Sequence, residues 1–189
     1  RAMRSQRPAA AAPAIDAAAE ALPFDDDSFD AAMATITVHQ WRDVDQGLRE
    51  LRRVSRGRVV ILTFDNTAAD RFWLAGYAPE LIATEQRRDP AIEHLAAVLG
   101  GHCEVHDVDI PIDCTDGFTE AFYARPERFL DPAVRASQSV WGFIDPHATA
   151  RILSELERDL EDGTWDRHHG HLRSQPTFHG SLRLVIAEP

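Results

Sequence analysis

The chain has 189 residues, 20 basic against 31 acidic side chains, a net charge of −11 and 44% hydrophobic residues. That charge leaves no basic stripe for a phosphate backbone, and no apolar run approaches the roughly 18 residues a membrane span needs. Nucleic acid and a membrane are thereby set aside as partners, and two cysteines, Cys103 and Cys114, are too few for a disulfide framework or a zinc site, so the chain reads as soluble, cytoplasmic and about one domain long.

All the basic residues are arginines, and Arg52, Arg53, Arg87 and Arg88 read as solvated helix faces. Residues 1 to 8 look like the end of a helix stopped by Pro8, because proline has no amide to continue the ladder. Residue 1 is an arginine and the first methionine, Met3, falls inside that helix, so the chain reads as a fragment of a longer one. Ala14 to Ala18 is expected to form a short strand in spite of weak propensity. A polar turn at Asp25-Asp26-Asp27-Ser28 leads into a buried strand from Phe29 to Val38, which ends at His39-Gln40-Trp41.

Asp43 suits an N-cap, and Val44, Leu48, Leu51 and Val54 line one face of the helix that follows. Gly57 is expected to end it, and Arg58 to Phe64, with its Val-Val-Ile-Leu centre, is the strongest strand signal in the chain. Strand, helix and strand within about 35 residues have the size of a βαβ unit, and both strands are apolar throughout, as in a parallel sheet covered on both faces. Further on, Pro90 to Leu99 predicts a helix, Cys103 to Ile110 a strand near the sheet edge, Thr149 to Leu160 an amphipathic helix and Ser181 to Ala187 a final strand. Residues 113–165, rich in aromatics and prolines at their start, read as a lid or substrate insertion within a single domain.

An open parallel sheet binds its ligand beyond the carboxyl ends of the strands. This puts Thr37-Val38-His39-Gln40-Trp41, Asp65-Asn66-Thr67 and the stretch from Asp16 to Leu22 around one crevice.

Three phrases, Ala19-Glu20-Ala21-Leu22-Pro23-Phe24 with Ser28-Phe29-Asp30, then His39-Gln40-Trp41, then Leu48-Arg49-Glu50-Leu51-Arg52-Arg53-Val54, occur in order at family spacing. In these residues the chain resembles the class I S-adenosylmethionine-dependent methyltransferases. Later pieces, Asp113 to Phe118, Arg125 to Pro132 and Gly163-Thr164-Trp165, are similar to an uncharacterised bacterial branch of that family.

The resemblance implies an α/β, Rossmann-like sheet with helices on both faces, a reversed last strand and S-adenosylmethionine across the strand ends. It would set Met3, Ala18, Ala19 and Glu20 near the adenine, and Thr37, Val38 and His39 beside the methionine moiety. Trp41 would flank the substrate entrance, with Asp113, Asp116 and Arg125 of the insertion offered to an acceptor. His39 is the candidate general base, since an imidazole titrates near neutrality. Many members carry an aspartate where this chain has Ala18. The family's glycine-rich loop and the acidic residue that holds the ribose would both precede Arg1, so about 50 further residues, roughly one βαβ unit, are expected upstream, and the first strand and part of the second are expected to be missing.

His168, His169, His171 and His179 have neither helix-face nor zinc-finger spacing and read as surface histidines, so no metal is expected. Trp141 and Trp165 read as anchors of the lid. The function implied is methyl transfer to a small-molecule acceptor, with the oligomeric state left open. The alternative is a non-catalytic methyltransferase-like remnant that serves as an interaction module.

Overall fold

A computed structural model describes residues 7, 8 and 10–189. The expected helix end at residues 1 to 8, with Met3, lies largely outside them. Four strands form the main sheet: β1 (Ala32–Thr35), β2 (Val59–Phe64), β3 (Cys103–Asp107) and β6 (Leu182–Ala187), in the order β1-β2-β6-β3. β1 and β2 are parallel, and β6 runs antiparallel between β2 and β3, which is the reversed strand the resemblance implies. A small second sheet pairs β4 (Ile110–Pro111) with β5 (Thr177–Phe178).

The crossover from β1 to β2 is the helix α1 (Val44–Val54), capped as expected by Asp43, whose carboxylate accepts from the Gln46 amide. It ends two residues before the expected Gly57, at Ser55. Gly57 has a different duty, because a Cβ there would collide with the Asp30 carbonyl where the chain passes close by.

On one face of the sheet Ala34, Val59, Ile61, Val185 and Ala187 pack with Leu48 of α1 and with Ile92, Leu95 and Leu99 of α3 (Ile92–Leu99). The other face contributes Ile36, Leu62, Phe64 and Leu182 to a larger core. That core is built with α2 (Pro79–Arg88), α4 (Pro132–Ser137), α5 (Pro146–Glu161), α6 (Thr164–His169) and the 3₁₀ turns between them. Burying each large aliphatic or aromatic side chain in this way stabilises the fold by about 1.5–3 kcal/mol relative to leaving it in water.

Three expectations are corrected. Ala14 to Ala18 form no strand, and Ile15 is 60% exposed, because small alanines offer no apolar face for a sheet to cover. The strand expected from Phe29 to Val38 covers only Ala32–Thr35, and Met33 is 60% exposed on a strand whose outer edge is unpaired among the described residues. Its stop is Ile36, which donates to the Leu62 carbonyl at 2.8 Å and then turns with φ of 47°. The segment from Cys103 to Ile110 divides into β3 at the edge of the main sheet and β4 in the small one.

Trp141 and Trp165 do anchor the insertion. Trp165 is fully buried and meets Trp73 edge to face at 5.4 Å, while Trp73 Nε1 donates to the Tyr123 carbonyl at 3.0 Å. Both cysteines are free, and no helix among the described residues is long and apolar enough to cross a membrane.

Candidate active site

A cavity of about 440 Å³ opens at the carboxyl ends of β1 and β2, between the sheet, α2 and the insertion. β1 delivers Thr35 and Ile36 to its wall, and the 3₁₀ turn Val38–Gln40 delivers His39 and Gln40. A β-branched residue at positive φ carries backbone strain of about 1–3 kcal/mol, which the surrounding structure must hold in place. Ile36 takes that conformation just before the 3₁₀ turn Val38–Gln40.

His39 is mostly buried. Gln40 Nε2 lies 3.3 Å from its Nε2, and its Nδ1 lies 3.5 Å from Asp89 Oδ1 without making a hydrogen bond. An amide nitrogen only donates, so the Gln40 contact assigns the lone pair to Nε2 and the proton to Nδ1, facing the carboxylate. Burial, reinforced by the Arg88 guanidinium, lowers the His39 pKa, which keeps the ring neutral at neutral pH.

Two carboxyl groups from α2 and its C-cap and one from the insertion face the same space. Burial pushes Glu85 up to about 7, opposed by its hydrogen bond from Thr119 and reinforced by Asp89 and Glu120. Asp89, the C-cap of α2, is likewise pushed up to about 7 by burial, against the nearby Arg88, with Glu120 adding to the rise. Glu120 is raised by burial in spite of the Ser181 amide, which donates to both of its oxygens at 3.0 Å. That seat exists because residue 180 is glycine: a Cβ there would lie 2.5 Å from Glu120 Oε2.

Of the residues singled out in the sequence, Thr37, Val38 and His39 fall in the turn at the strand ends, but only His39 lines the cavity. Val38 is fully buried in the core beneath the sheet, and the Thr37 carbonyl accepts from the Gln40 amide. Ala18, Ala19 and Glu20 lie outside the cavity wall. Glu20 Oε1 accepts from the amides of Arg42 at 2.7 Å and Asp43 at 3.2 Å, and its own backbone amide with those two lowers its pKa. Its carboxylate therefore ties the segment before β1 to the start of α1. Met3 lies outside the described residues.

Trp41 is not among the residues that line the cavity; it packs on α1 over Gly47, where a Cβ would lie 2.5 Å from its ring. Asp113 is exposed and away from the cavity, whereas Asp116 lines it and accepts from the Gly117 amide at 2.6 Å. Arg125 is spent on the fold of the insertion, donating to the carbonyls of Cys114 and Ala121 at 2.8 Å each. The histidines at 168 to 179 form no metal-binding group among the described residues. His179 pairs with Asp107 and Asp109, and His169 lies against Trp165.

Glu85, Arg88, Asp89, Glu120 and Gln138 went unrecognised in the sequence. Arg88, expected on a solvated face, lines the cavity and donates to Ser139 Oγ at 3.2 Å. One local signal was present: Glu120 stands among Phe118, Ala121, Phe122 and Tyr123, and a charge inside an apolar run is costly unless it is used.

With this geometry in place, comparison with known proteins is informative. Residues 1–62 match the family model described as a methyltransferase domain. A crystal structure of a protein from Anabaena variabilis ATCC 29413, described as a methyltransferase from an antibiotic biosynthesis pathway, superposes with a TM-score of 0.83 at 28% identity, covering 89% of this chain and 70% of that one. The ubiquinone/menaquinone biosynthesis C-methyltransferase UbiE of Hahella chejuensis (strain KCTC 2396) is 46% identical over 52 residues, a match that spans 26% of this chain and only 21% of that curated relative. The architecture is that of an α/β methyltransferase. In its fold and in its N-terminal third, the chain is similar to these methyltransferases.

Proposed function

We propose that the protein transfers a methyl group from S-adenosylmethionine to a small molecule held in the cavity at the ends of β1 and β2. The observation that carries this reading is the neutral, mostly buried His39, whose Nδ1 has no hydrogen-bond partner among the described residues, on the wall of that cavity. When bound, S-adenosylmethionine supplies an electrophilic methyl group. The residues present fit a cationic cofactor on one side: the bend at Ile36 and His39 would flank its methionine end, and the cavity carboxylates complement a positive charge.

The chain's own work is alignment, water exclusion and proton handling. Phe64, Phe72 and Phe118 wall the cavity against water. His39 Nε2, held only by Gln40, is the atom that receives a proton from an acceptor, and Asp89 faces the imidazolium that results. The insertion at 113–165 acts as the acceptor roof, with Asp116 at its rim.

Calorimetric titration with S-adenosylhomocysteine tests the cofactor half of this reading. Saturable binding, with a rise in melting temperature, is expected. Absence of both would leave the interaction module as the better account.

A further inference from the structure

The cavity has an acidic end and an apolar wall. Among the described residues, Glu85, Asp89, Glu120 and Asp116 line it against a single guanidinium, Arg88, which is itself partly occupied by the Phe143 ring at 4.4 Å. Their commitments differ. Glu120 is held by the Ser181 amide and Glu85 accepts from Thr119 Oγ1 at 2.8 Å, while the Asp89 carboxylate, 8% exposed, accepts no hydrogen bond among the described residues and has His39 at 3.5 Å and the charge of Arg88 nearby.

A second observation is independent of the acids. Gln138 lines the same cavity and is 6% exposed; its Oε1 accepts from Trp141 Nε1 at 3.0 Å, but its Nε2 is buried with no partner among the described residues. A buried donor left unmade is costly, so a partner from outside the chain recovers that cost on binding.

We propose that the cavity binds a small arylalkyl amine as its ammonium, with the cation on Asp89 and Glu85, the ring against Phe64, Phe72 and Phe118, and an acceptor oxygen on Gln138 Nε2. This rests on reading the cavity as the acceptor site. A carboxylate on the same skeleton is disfavoured, because like charges brought together in a dry site repel. Burial raises Glu85 and Asp89 to about 7 in the free protein, so at or below pH 7 an arriving ammonium draws them to the ionised form and releases protons.

The test is calorimetric titration of the protein, without cofactor, with tyramine and with 3-(4-hydroxyphenyl)propionate, which carries a carboxylate in place of the ammonium. Tyramine is expected to bind at least about tenfold more tightly, with proton release visible as a dependence of the heat on buffer. Asp89→Asn and Glu85→Gln are each expected to weaken tyramine by about fivefold or more at pH 8. Equal affinities, preference for the carboxylate, or no tyramine binding would overturn the inference, and this comparison needs no variant to fold. S-adenosylhomocysteine titrated separately keeps the two ideas apart. Tyramine preference without S-adenosylhomocysteine binding supports the ligand class and sinks methyl transfer, whereas the reverse sinks the ligand class alone.

Discussion

Replacing Asp89 by asparagine converts a buried titrating group into one fixed in its neutral form. Burial raises its pKa from 3.8 to about 7, and at about 1.4 kcal/mol per unit the ceiling on the cost of holding it ionised is about 4 kcal/mol. The sign follows from linkage. A carboxyl raised on folding contributes no penalty below its unfolded pKa, and stability is lost as pH rises from there through about 7. At about pH 5.5 some 2 kcal/mol of that cost is already present, and about 2 more accrues by about pH 8.5. Urea unfolding of the wild type and of Asp89→Asn at the two pH values measures the difference. The variant's stability relative to the wild type is expected to improve by about 2 kcal/mol from the lower pH to the higher. Because Asp89 also raises Glu85, the Glu85 titration should move down in the variant. An offset that does not change with pH, or one that changes in the opposite sense, would refute the buried-carboxyl reasoning.

Other perturbations address separate parts of the structure. Trp165→Ala removes a fully buried ring from the insertion core and is expected to cost about 3–5 kcal/mol by denaturant unfolding. Gly180→Ala drives a methyl onto the Glu120 carboxylate, with a loss of about 1–3 kcal/mol in the same assay. Asp43→Ala leaves the Gln46 amide without its cap and should cost about 1 kcal/mol, read from the thermal midpoint. His39→Asn is expected to lower kcat by about a hundredfold or more and to remove the acid limb of the pH–rate profile, with the melting temperature little changed.

The unit from Asp43 to Phe64 was legible because its signals are local and agree. A capping aspartate, an apolar stripe at helical spacing and a run of β-branched residues all point to one crossover and one central strand. β1 was overestimated at both ends, since hydrophobicity cannot reveal a bend such as that at Ile36 or an edge that leaves Met33 in water. The segment 113–165 was legible as aromatic-rich but not in detail, because short 3₁₀ turns carry no sustained period.

The position of His39 on the cavity wall was legible because it follows a strand that ends at the crevice. The acids were missed for a physical reason. Glu85 and Asp89 sit at the end of a helix whose sequence, Pro-Glu-Leu-Ile-Ala-Thr-Glu-Gln-Arg-Arg, is polar, and only the insertion folding over it with Glu120 and Gln138 turns that face inward. The carbonyl partners of Arg125 were not legible, since a charge in a loop resembles a ligand contact until such partners are seen.

Methyl transfer itself is measured most directly by incubating the protein with methyl-labelled S-adenosylmethionine and a panel of small arylalkyl amines, then counting label in the low-mass fraction for the wild type and His39→Asn. Label in the small-molecule fraction, with a rate that falls by about a hundredfold in the variant, is the expected result. No transferred label, or transfer at the same rate in both proteins, would contradict a reaction run by this cavity and this histidine.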